Sequence, residues 1–417
     1  MREMKDSGTV WLGTIPANWD IARIGSFYRL RNTKVSDTDY PPLSVTNKGI
    51  VPQLETAAKT NAHDDRKLVK KGDFAINSRS DRRGSCGIAP CDGSVSLINT
   101  ILSPMGEMNP RYYDWLFHTI EFGDEFYKCG HGIVDDLWTT GWQDMKKIRI
   151  PYPSLAEQEK IADVLDSQCS EIDAISADIQ KEIETLEQYK RSVITEAVTK
   201  GLDQDAEMKD SGVAWCPQIP SNWQYTNPKG LFGLRTDRAF RNDRQLTASQ
   251  EYGIVYQDEY MEKTGNKVVT VTKDFSILKH VEPDDFVISM RSFQGGLEYS
   301  DKRGCISSAY VMLIPNKEFV YAPFYRWFFK SSKYINALQS TSNLVRDGQA
   351  MRYANFVKVP LFIVPIEEQK AIASYLDEKI EKVNSILAEK KKQLEILSNY
   401  KKSLIYEYVT GKKEVLT

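Results

Sequence analysis

The residues that most resemble catalytic motifs each lack a partner that the chemistry requires. Asn109-Pro110-Arg111-Tyr112 is close to the Asn-Pro-Pro-Tyr motif of amino-methyltransferases, but Arg111 replaces the second proline and no glycine-rich cofactor loop precedes it. Pro283-Asp284-Asp285 is close to a nuclease metal site, but no acidic-x-Lys strand follows at suitable spacing. These gaps predict that the chain carries no catalytic residue of its own.

The histidines and cysteines do not have the spacing of a metal site. The sequence contains four histidines, which are His63, His118, His131 and His280, and six scattered cysteines without a C-x-x-C pair. It also lacks the G-x-x-x-x-G-K-[ST] phosphate loop. We therefore expect no zinc site, no disulfide framework and no cofactor bound by this chain itself.

Clusters of basic residues are the remaining candidates for a binding function. Seven basic residues stand against two acidic ones between Arg66 and Arg83, and four arginines surround Phe240. Arginine pairs with phosphate and can bond the O6 and N7 edge of guanine. For any single arginine, a solvated charged surface is the alternative explanation. The candidate DNA-binding residues are Asn47, Lys48, Arg79, Arg82, Arg83, Arg235, Arg238, Arg241, Arg244, Arg291, Gln294, Arg303, Arg346 and Arg352.

Length and composition limit the class of protein. The chain has 417 residues, which suits two to four domains, and a net charge of −2. A DNA-binding role must therefore come from local patches rather than from a basic molecule. The first residues form no apolar signal region, and no run reaches the roughly 18 apolar residues of a membrane span. We expect a soluble, cytoplasmic protein.

The elements that would position these residues occur twice. Met4-Lys-Asp-Ser-Gly8 returns as Met208-Lys-Asp-Ser-Gly212, at an offset of 204 residues. The strand-like run that begins at Asp73 returns at Asp285, at an offset of 212, so we expect eight residues to be gained in a loop. Each half contains many short predicted strands. Amphipathic helical runs are predicted over Arg111–Phe122 and Pro323–Gln339.

A long helical pattern follows each half. The stretch from Ser154 to Leu202 returns without a gap at an offset of 211, with Ser154 and Glu157 predicted to form a capping box. Its apolar residues are spaced three or four apart, as in a coiled-coil seam. Ser176, Lys190, Lys390 and Lys401 interrupt the seam and are expected to fix its register. The predicted seam consists of Ile161, Leu165, Ile172, Ile179, Ile183, Leu186 and Val193, with Ile372, Leu376, Ile380, Val383, Leu387, Leu394, Leu397 and Leu404.

These patterns predict an α/β (α+β) fold. Two mixed α/β domains, residues 1–153 and 204–364, are each followed by a long helix, residues 154–203 and 365–417. Neither helix would be stable with such an apolar stripe exposed, so we expect the two to form an antiparallel coiled-coil pair. A duplicated unit most simply closes with pseudo-twofold symmetry. About 40 residues give a rod of roughly 60 Å.

At this point the sequence resembles the specificity subunit of type I restriction-modification systems. The resemblance covers nearly the entire chain. It is carried by paired motifs at the start and end of each helix. These are Pro-x-x-x-Glu-Gln (Pro153 to Gln158), Pro-x-x-Glu-Gln (Pro365 to Gln369), Tyr189-Lys-Arg-Ser192 with Val198-Thr199, and Tyr400-Lys-Lys-Ser403 with Val409-Thr410-Gly411.

The resemblance implies a non-catalytic DNA-recognition subunit. Each globule would be a target-recognition domain that reads one half of a bipartite double-stranded DNA sequence. The helices would set the spacer and dock two methyltransferase (modification) subunits, and restriction subunits with translocase activity would complete the complex. S-adenosylmethionine, ATP and Mg²⁺ would be bound by these partner subunits.

Two alternatives stay open. A coiled-coil scaffold or adaptor protein would use the same globules and helices without binding DNA, and would lack sequence-specific, salt-sensitive DNA binding. A standalone DNA-modifying enzyme is disfavoured by the incomplete motifs. Methyl transfer by the isolated chain would favour it.

Overall fold

The structure, a computed structural model, describes residues 2–55, 63–79, 82–132, 138–271, 275–289, 292–341 and 352–415. The chain divides into two compact units. The first contains Met1–Gln180 with Lys391–Thr417, and the second contains Lys181–Lys390. Each unit therefore holds one globule and one part of each long helix. The domain limits 1–153 and 204–364 stay a prediction.

The first unit is built from short antiparallel strands. Its strands are β1 (Met4–Asp6), β2 (Thr14–Pro16), β3 (Asp20–Arg23), β4 (Tyr28–Arg31), β5 (Lys34–Val35), β6 (Leu43–Thr46), β7 (Gly49–Pro52), β8 (Arg66–Val69), β9 (Phe74–Asn77), β10 (Cys86–Ile88), β11 (Gly93–Ser96), β12 (Asn99–Pro104) and β13 (Arg149–Tyr152). Its helices are α1 (Pro110–Phe117), α2 (Ile120–Lys128), α3 (Trp142–Met145) and the first part of the long α4 (Leu155–Lys200), which continues into the second unit.

A four-stranded sheet, in the order β10-β9-β12-β4, separates two cores of the first unit. Successive side chains of β9 point to opposite faces, as the pleat of a strand requires. Phe74 and Ile76 enter the large aromatic core against α1 and α2, and Ala75 enters a smaller core under the β6–β7 hairpin. One face of the sheet thus packs against the helices, and the other packs against the β6–β7 hairpin.

The predicted helical run over Arg111–Phe122 is two helices, because α1 ends at Phe117 and α2 begins at Ile120. Thr119 caps α2: its hydroxyl accepts a hydrogen bond from the backbone of Phe122 over 3.3 Å. The predicted run over Pro323–Gln339 is broken at Ser331, whose hydroxyl donates to the Phe328 carbonyl over 2.7 Å at the end of α8 (Ala322–Phe328). A hydroxyl residue can bond its own backbone and end a helix without interrupting the apolar pattern.

The second unit repeats this construction. Its strands are β14 (Met208–Asp210), β15 (Gln218–Pro220), β16 (Gln224–Thr226), β17 (Phe232–Arg235), β18 (Leu246–Ser249), β19 (Gly253–Tyr256), β20 (Lys279–Val281), β21 (Phe286–Ile288), β22 (Glu298–Tyr299), β23 (Gly304–Ile306), β24 (Val311–Pro315) and β25 (Leu361–Ile363). Its helices are α5 (Pro228–Leu231), α6 (Gln257–Thr264), α7 (Ser292–Gly295), α8 (Ala322–Phe328), α9 (Ser332–Ser340), α10 (Tyr353–Phe356) and the first part of the long α11 (Ile366–Val409), which continues into the first unit.

The sheet order β17-β24-β21-β22 matches that of the first unit. The stretch in which we expected a longer loop contains the helix α6. This helix has Asp258 and Glu259 in its first turn, where the helix dipole favours acidic residues, and ends at Gly265 with φ +70°. The prediction of a loop alone was therefore wrong.

The long helices run antiparallel within each unit. In the second unit, Lys190 Nζ lies 2.7 Å from Asn384 Oδ1, and Lys390 Nζ lies 2.6 Å from Glu182 Oε2. A later residue of α4 thus meets an earlier residue of α11. In the first unit, Lys401 Nζ lies 2.6 Å from Asp173 Oδ1.

The predicted seam residues are buried or half-buried. Leu186, Val193, Leu394 and Leu397 are half-buried, and the other predicted seam residues are buried. Those near the helix starts belong to the aromatic cores of the globules as well as to the helix pair, for example Ile161 and Leu165 in the first unit and Ile372 in the second. Burial against both surfaces fixes each globule to its helix.

The start of α4 differs from the predicted capping box. The Ser154 hydroxyl accepts the Glu157 backbone N–H at 3.4 Å. The Glu157 side chain instead accepts the indole N–H of Trp19 at 2.9 Å and pairs with Arg2 at 2.5 Å. Glu157 therefore ties the helix to the N-terminal segment. No described helix is long and apolar enough to span a membrane.

Candidate nucleic-acid interface

An open cleft of about 780 Å³ in the first unit brings several predicted residues together. The turn of the β6–β7 hairpin supplies Asn47, and the segment after β9 supplies Arg79, Arg82 and Arg83. Lys48 lies exposed in the same hairpin turn, which Gly49 permits by adopting φ +96°. The fold thus places residues that are more than thirty positions apart on one polar surface.

The cations of this cleft differ in how far they are neutralised. Arg83 pairs with Asp124 at 3.0 Å and stacks on Tyr127 at 4.0 Å. The Arg79 side chain is exposed and pairs with no carboxylate in the part of the chain that the structure describes. Arg79 is therefore suited to an external phosphate or base edge.

Arg66 is a cation that the sequence analysis did not select. Its side chain is buried on the wall of the cleft, where Nε donates to the Ser94 hydroxyl at 2.8 Å and Nη2 to the Ser94 carbonyl at 2.9 Å. No carboxylate of the described ranges lies within 4.0 Å of it. Burial lowers the pKa of this guanidinium.

Neutral polar residues complete the cleft, and the sequence analysis missed them. Gln53, Asn77 and Asn99 line it. Asn99 is 3% exposed, and its Oδ1 has no hydrogen-bond partner within the described residues. Amide side chains can bond base edges. Asn77 precedes Arg79 by two residues, and the pairing of β9 with β12 brings Asn99 beside Asn77.

Arg235 is held by two carboxylates, and its contact with DNA stays a prediction. Its Nε and Nη2 donate to the Asp285 carboxylate at 2.6 and 2.9 Å, and Nη1 lies 3.1 Å from Asp237. These hydrogen bonds raise the pKa of Arg235. The equivalent pair in the first unit is Arg31 with Asp73, at 2.5 Å, so the arginine belongs to the repeated framework.

The other predicted residues of the second unit lie on its surface. Arg244 contacts Asp258 at 2.7 Å and stacks on Tyr256 at 3.7 Å, so its charge is largely neutralised. Arg238, Arg241 and Arg352 are exposed. Arg303 is also exposed, and its Nε lies 3.6 Å from Glu282 Oε1. Arg291 and Arg346 lie outside the described residues, as does the side chain of Gln294 in α7.

The near-miss catalytic motifs have structural roles. The Asn109 side chain caps α1 by accepting the Arg111 backbone N–H at 2.9 Å. Asp284 adopts φ +75°, and Gly72 has φ +85° at the equivalent position before β9. In the described part of the chain, no three His, Cys, Asp or Glu side chains come together as metal ligands.

Comparisons with known proteins agree with this architecture. The type I restriction modification DNA specificity domain matches residues 138–185 and 220–396, which is more than half of the chain. The type I restriction enzyme MjaVIII specificity subunit of Methanocaldococcus jannaschii is 22% identical over 96% of this chain and 94% of its own length. The MjaX specificity subunit ascribed to the same organism is 26% identical over 66% of this chain. That match spans 61% of the relative.

Two solved structures share the fold. One, described as the structural basis of complex assembly and conformational transition of the type I R-M system, has a TM-score of 0.70 at 13% identity, over 96% of this chain and 99% of its own. The HsdS subunit from Thermoanaerobacter tengcongensis has a TM-score of 0.50 at 14% identity, over 96% and 98%. The duplicated α/β globule with a long helix is thus the fold of a type I R-M component. The chain belongs to the type I restriction-modification specificity family.

Proposed function

We propose that the chain is the DNA sequence-specificity subunit of a type I restriction-modification complex, and that each globule reads one half of a bipartite target. The observation that carries the proposal is a repeated framework with different surfaces. The Arg31–Asp73 and Arg235–Asp285 pairs are equivalent. The hairpin turns differ, since the first presents Asn47-Lys48 and the second Gln250-Glu251-Tyr252. Two domains that share a fold but expose different side chains suit two half-sites of different sequence.

The helix pair sets the distance between the half-sites in this proposal. Support comes from the length of α4, whose 46 residues span about 69 Å at roughly 1.5 Å per residue. Further support comes from the polar contacts in the seam. Lys190 with Asn384 and Lys401 with Asp173 are equivalent at an offset of 211. Polar seam contacts fix register, which a spacer must keep.

Two modification subunits dock on the helices in this proposal. Each unit exposes an equivalent isoleucine and tyrosine on its helix pair, with Ile175 and Tyr400 in the first and Ile386 and Tyr189 in the second. Exposed apolar side chains on a rigid helix suit a protein partner. Because the surface occurs twice, it suits two copies of one partner.

Catalysis belongs to the partners in this proposal. Modification subunits bind S-adenosylmethionine and transfer the methyl group, and restriction subunits bind ATP and Mg²⁺ and translocate DNA. This chain recognises the target sequence, and the complex works in the cytoplasm. The near-neutral net charge of −2 is compatible with this, because partners can carry much of the phosphate contact. An adaptor that does not bind DNA has no comparable support from the arginine-lined cleft.

Methylation profiling of host DNA with and without this chain tests the proposal. The proposed function requires a bipartite motif that is methylated only when the chain is present with its modification subunits. An unchanged methylome would contradict it, and methyl transfer by the isolated chain would favour an enzyme instead.

A further inference from the structure

A buried histidine lies between two carboxylates under the arginine-bearing loop of the second unit. His280, on β20, is 1% exposed. Its Nδ1 lies 2.7 Å from Asp243 Oδ2 and its Nε2 lies 2.7 Å from Glu282 Oε1. An ionised carboxylate only accepts hydrogen bonds, so both ring nitrogens must donate to satisfy both contacts. Two donated hydrogen bonds are those of an imidazolium.

This imidazolium fastens the loop formed by residues 237–244. The same Oδ2 of Asp243 accepts the backbone N–H of Phe240 at 2.8 Å and so closes the turn. The His280 backbone N–H donates to the Asp237 carbonyl at 3.0 Å. The loop is thus tied to β20 at its start and at its end.

The charged groups around the histidine nearly balance. Arg303 Nε lies 3.6 Å from Glu282 Oε1 and 4.0 Å from Asp243 Oδ1. The hydrogen bond from His280 lowers the pKa of Glu282. The titratable and charged groups that face the imidazole or its carboxylates are Asp243 from the loop, Glu282 from the end of β20, Arg303 and Cys305 from the β22–β23 segment, and Arg235 and Asp285 behind Glu282.

The fold itself does not need an ionisable residue at this position. Leu68 pairs with Ser94 in the first unit as His280 pairs with Cys305 in the second, so Leu68 is the structural equivalent of His280. Leu68 is buried in the same way. Burying an ion pair costs several kcal/mol of desolvation for each ion. The histidine therefore adds contacts that the shared fold does not require.

The loop presents groups suited to DNA. Phe240 is 50% exposed, and its ring centroid lies 4.4 Å from that of His280. Arg238 and Arg241 are exposed on either side, and the Arg303 guanidinium lies 5.9 Å from the ring. Guanidinium groups pair with phosphates, and an exposed apolar side chain can pack on a sugar or a base step.

We propose that His280 is a positioning residue for DNA recognition by the second unit. Its imidazolium holds loop 237–244 in the conformation in which Phe240 and Arg241 contact the DNA. This inference rests on the proposed function and adds to it a loop and the residue that fixes the loop.

The test compares the full chain, assembled with its modification subunits, with two variants. His280→Leu with Asp243→Asn installs the leucine of the first unit and removes the buried charges, and Phe240→Ala leaves the buried cluster intact. We expect both to bind a duplex carrying the methylated motif about ten-fold more weakly, with selectivity lost only in the half-site read by the second unit. The thermal midpoint of Phe240→Ala should equal that of wild type.

Half-site selectivity, measured beside the thermal midpoint, separates positioning from a purely structural role. His280→Leu/Asp243→Asn should keep a thermal midpoint no lower than that of wild type, because buried charges are removed, and should still lose selectivity in the half-site read by the second unit. His63→Gln is the matched control, because His63 pairs with Asp37 at 2.8 Å on the surface of the first unit. It should behave as wild type.

The possible results are distinct. Unchanged affinity and selectivity in Phe240→Ala, or equal losses in both half-sites, would overturn the inference. So would wild-type selectivity in His280→Leu/Asp243→Asn. If the wild-type complex itself selects no sequence, the proposed function fails and this inference fails with it.

Discussion

The side-chain oxygen of Gln158 lies 2.8 Å from the backbone nitrogen of Asn109 and accepts its hydrogen bond, which joins the start of α4 to the start of α1. The amide nitrogen of Gln158 donates to the Pro153 carbonyl at 2.9 Å. Gln369 repeats the arrangement, accepting from the Tyr321 backbone at 2.8 Å. The Glu-Gln motif is thus the joint between each globule and its long helix.

Removing this joint should loosen the first unit. Gln158→Ala leaves two buried backbone groups without partners, so the free energy of unfolding should fall by about 2 to 4 kcal/mol. Urea unfolding measures the loss, and hydrogen exchange should show faster opening at the start of α1. Glu159→Ala, at the exposed neighbouring position, is the control. Equal stability of the two variants would show that the joint is not essential.

Sequence periodicity predicted the long helices well because their pattern extends over more than forty residues. α4 begins at Leu155 and α11 at Ile366, beside the predicted starts. The same reasoning missed the breaks at Thr119 and Ser331, because a single hydroxyl residue does not interrupt an apolar pattern. It also missed α6, which has no buried residue and therefore no apolar stripe.

The candidate site was harder to predict, because charge compensation comes from tertiary contacts. Arg235 meets Asp285, fifty residues later, and only the β17-β24-β21 sheet brings them together. Conversely, Asn77 and Asn99 are unremarkable in the sequence and become cleft residues through the pairing of β9 with β12. The sequence therefore indicated the kind of ligand better than it indicated which residues line the cleft.

Glu298 should make the stability of the second unit depend on pH. Burial raises the pKa of this carboxyl, although Lys330 lies 2.6 Å away. A carboxyl whose folded-state pKa is raised stabilises the fold below its ordinary pKa of about 4.5, and this contribution is lost as the pH rises through the raised value. Glu298→Gln should therefore lose less unfolding free energy than wild type between about pH 5 and about pH 7.5.

Urea unfolding at these two pH values measures the difference. Glu318→Gln is the control, since Glu318 is exposed in the same unit. Parallel pH dependences for wild type and Glu298→Gln would contradict the role of the buried carboxyl.

Arg79 should contact DNA in the first half-site. Arg79→Ala should weaken binding of the assembled complex and reduce the slope of log affinity against log salt by about 1, if the contact is to phosphate. Lys128→Ala removes the same charge from α2 and should leave the slope unchanged. If Arg79 instead reads a base, selectivity at one position of the first half-site should relax. Identical DNA binding by Arg79→Ala and Lys128→Ala would show that Arg79 does not contact DNA.

The helix pair should act as a length standard. Inserting one heptad after Gln180 in α4 and one after Lys390 in α11 keeps the seam in register and adds about 10 Å at roughly 1.5 Å per residue. The unread spacer of the methylated motif should grow by about three base pairs at roughly 3.4 Å each, with both half-sites unchanged. Methylation profiling reads the result. A spacer of the original length would show that the helices do not set it.

Replacing one globule tests the central claim most directly. Residues 21–150 are exchanged for the equivalent segment of a relative with a different target, and the methylated motif of host DNA is determined with the same modification subunits. If each globule recognises one half-site independently, one half of the motif should change to that of the relative while the other half stays the same. A change in both halves, or in neither, would contradict the account.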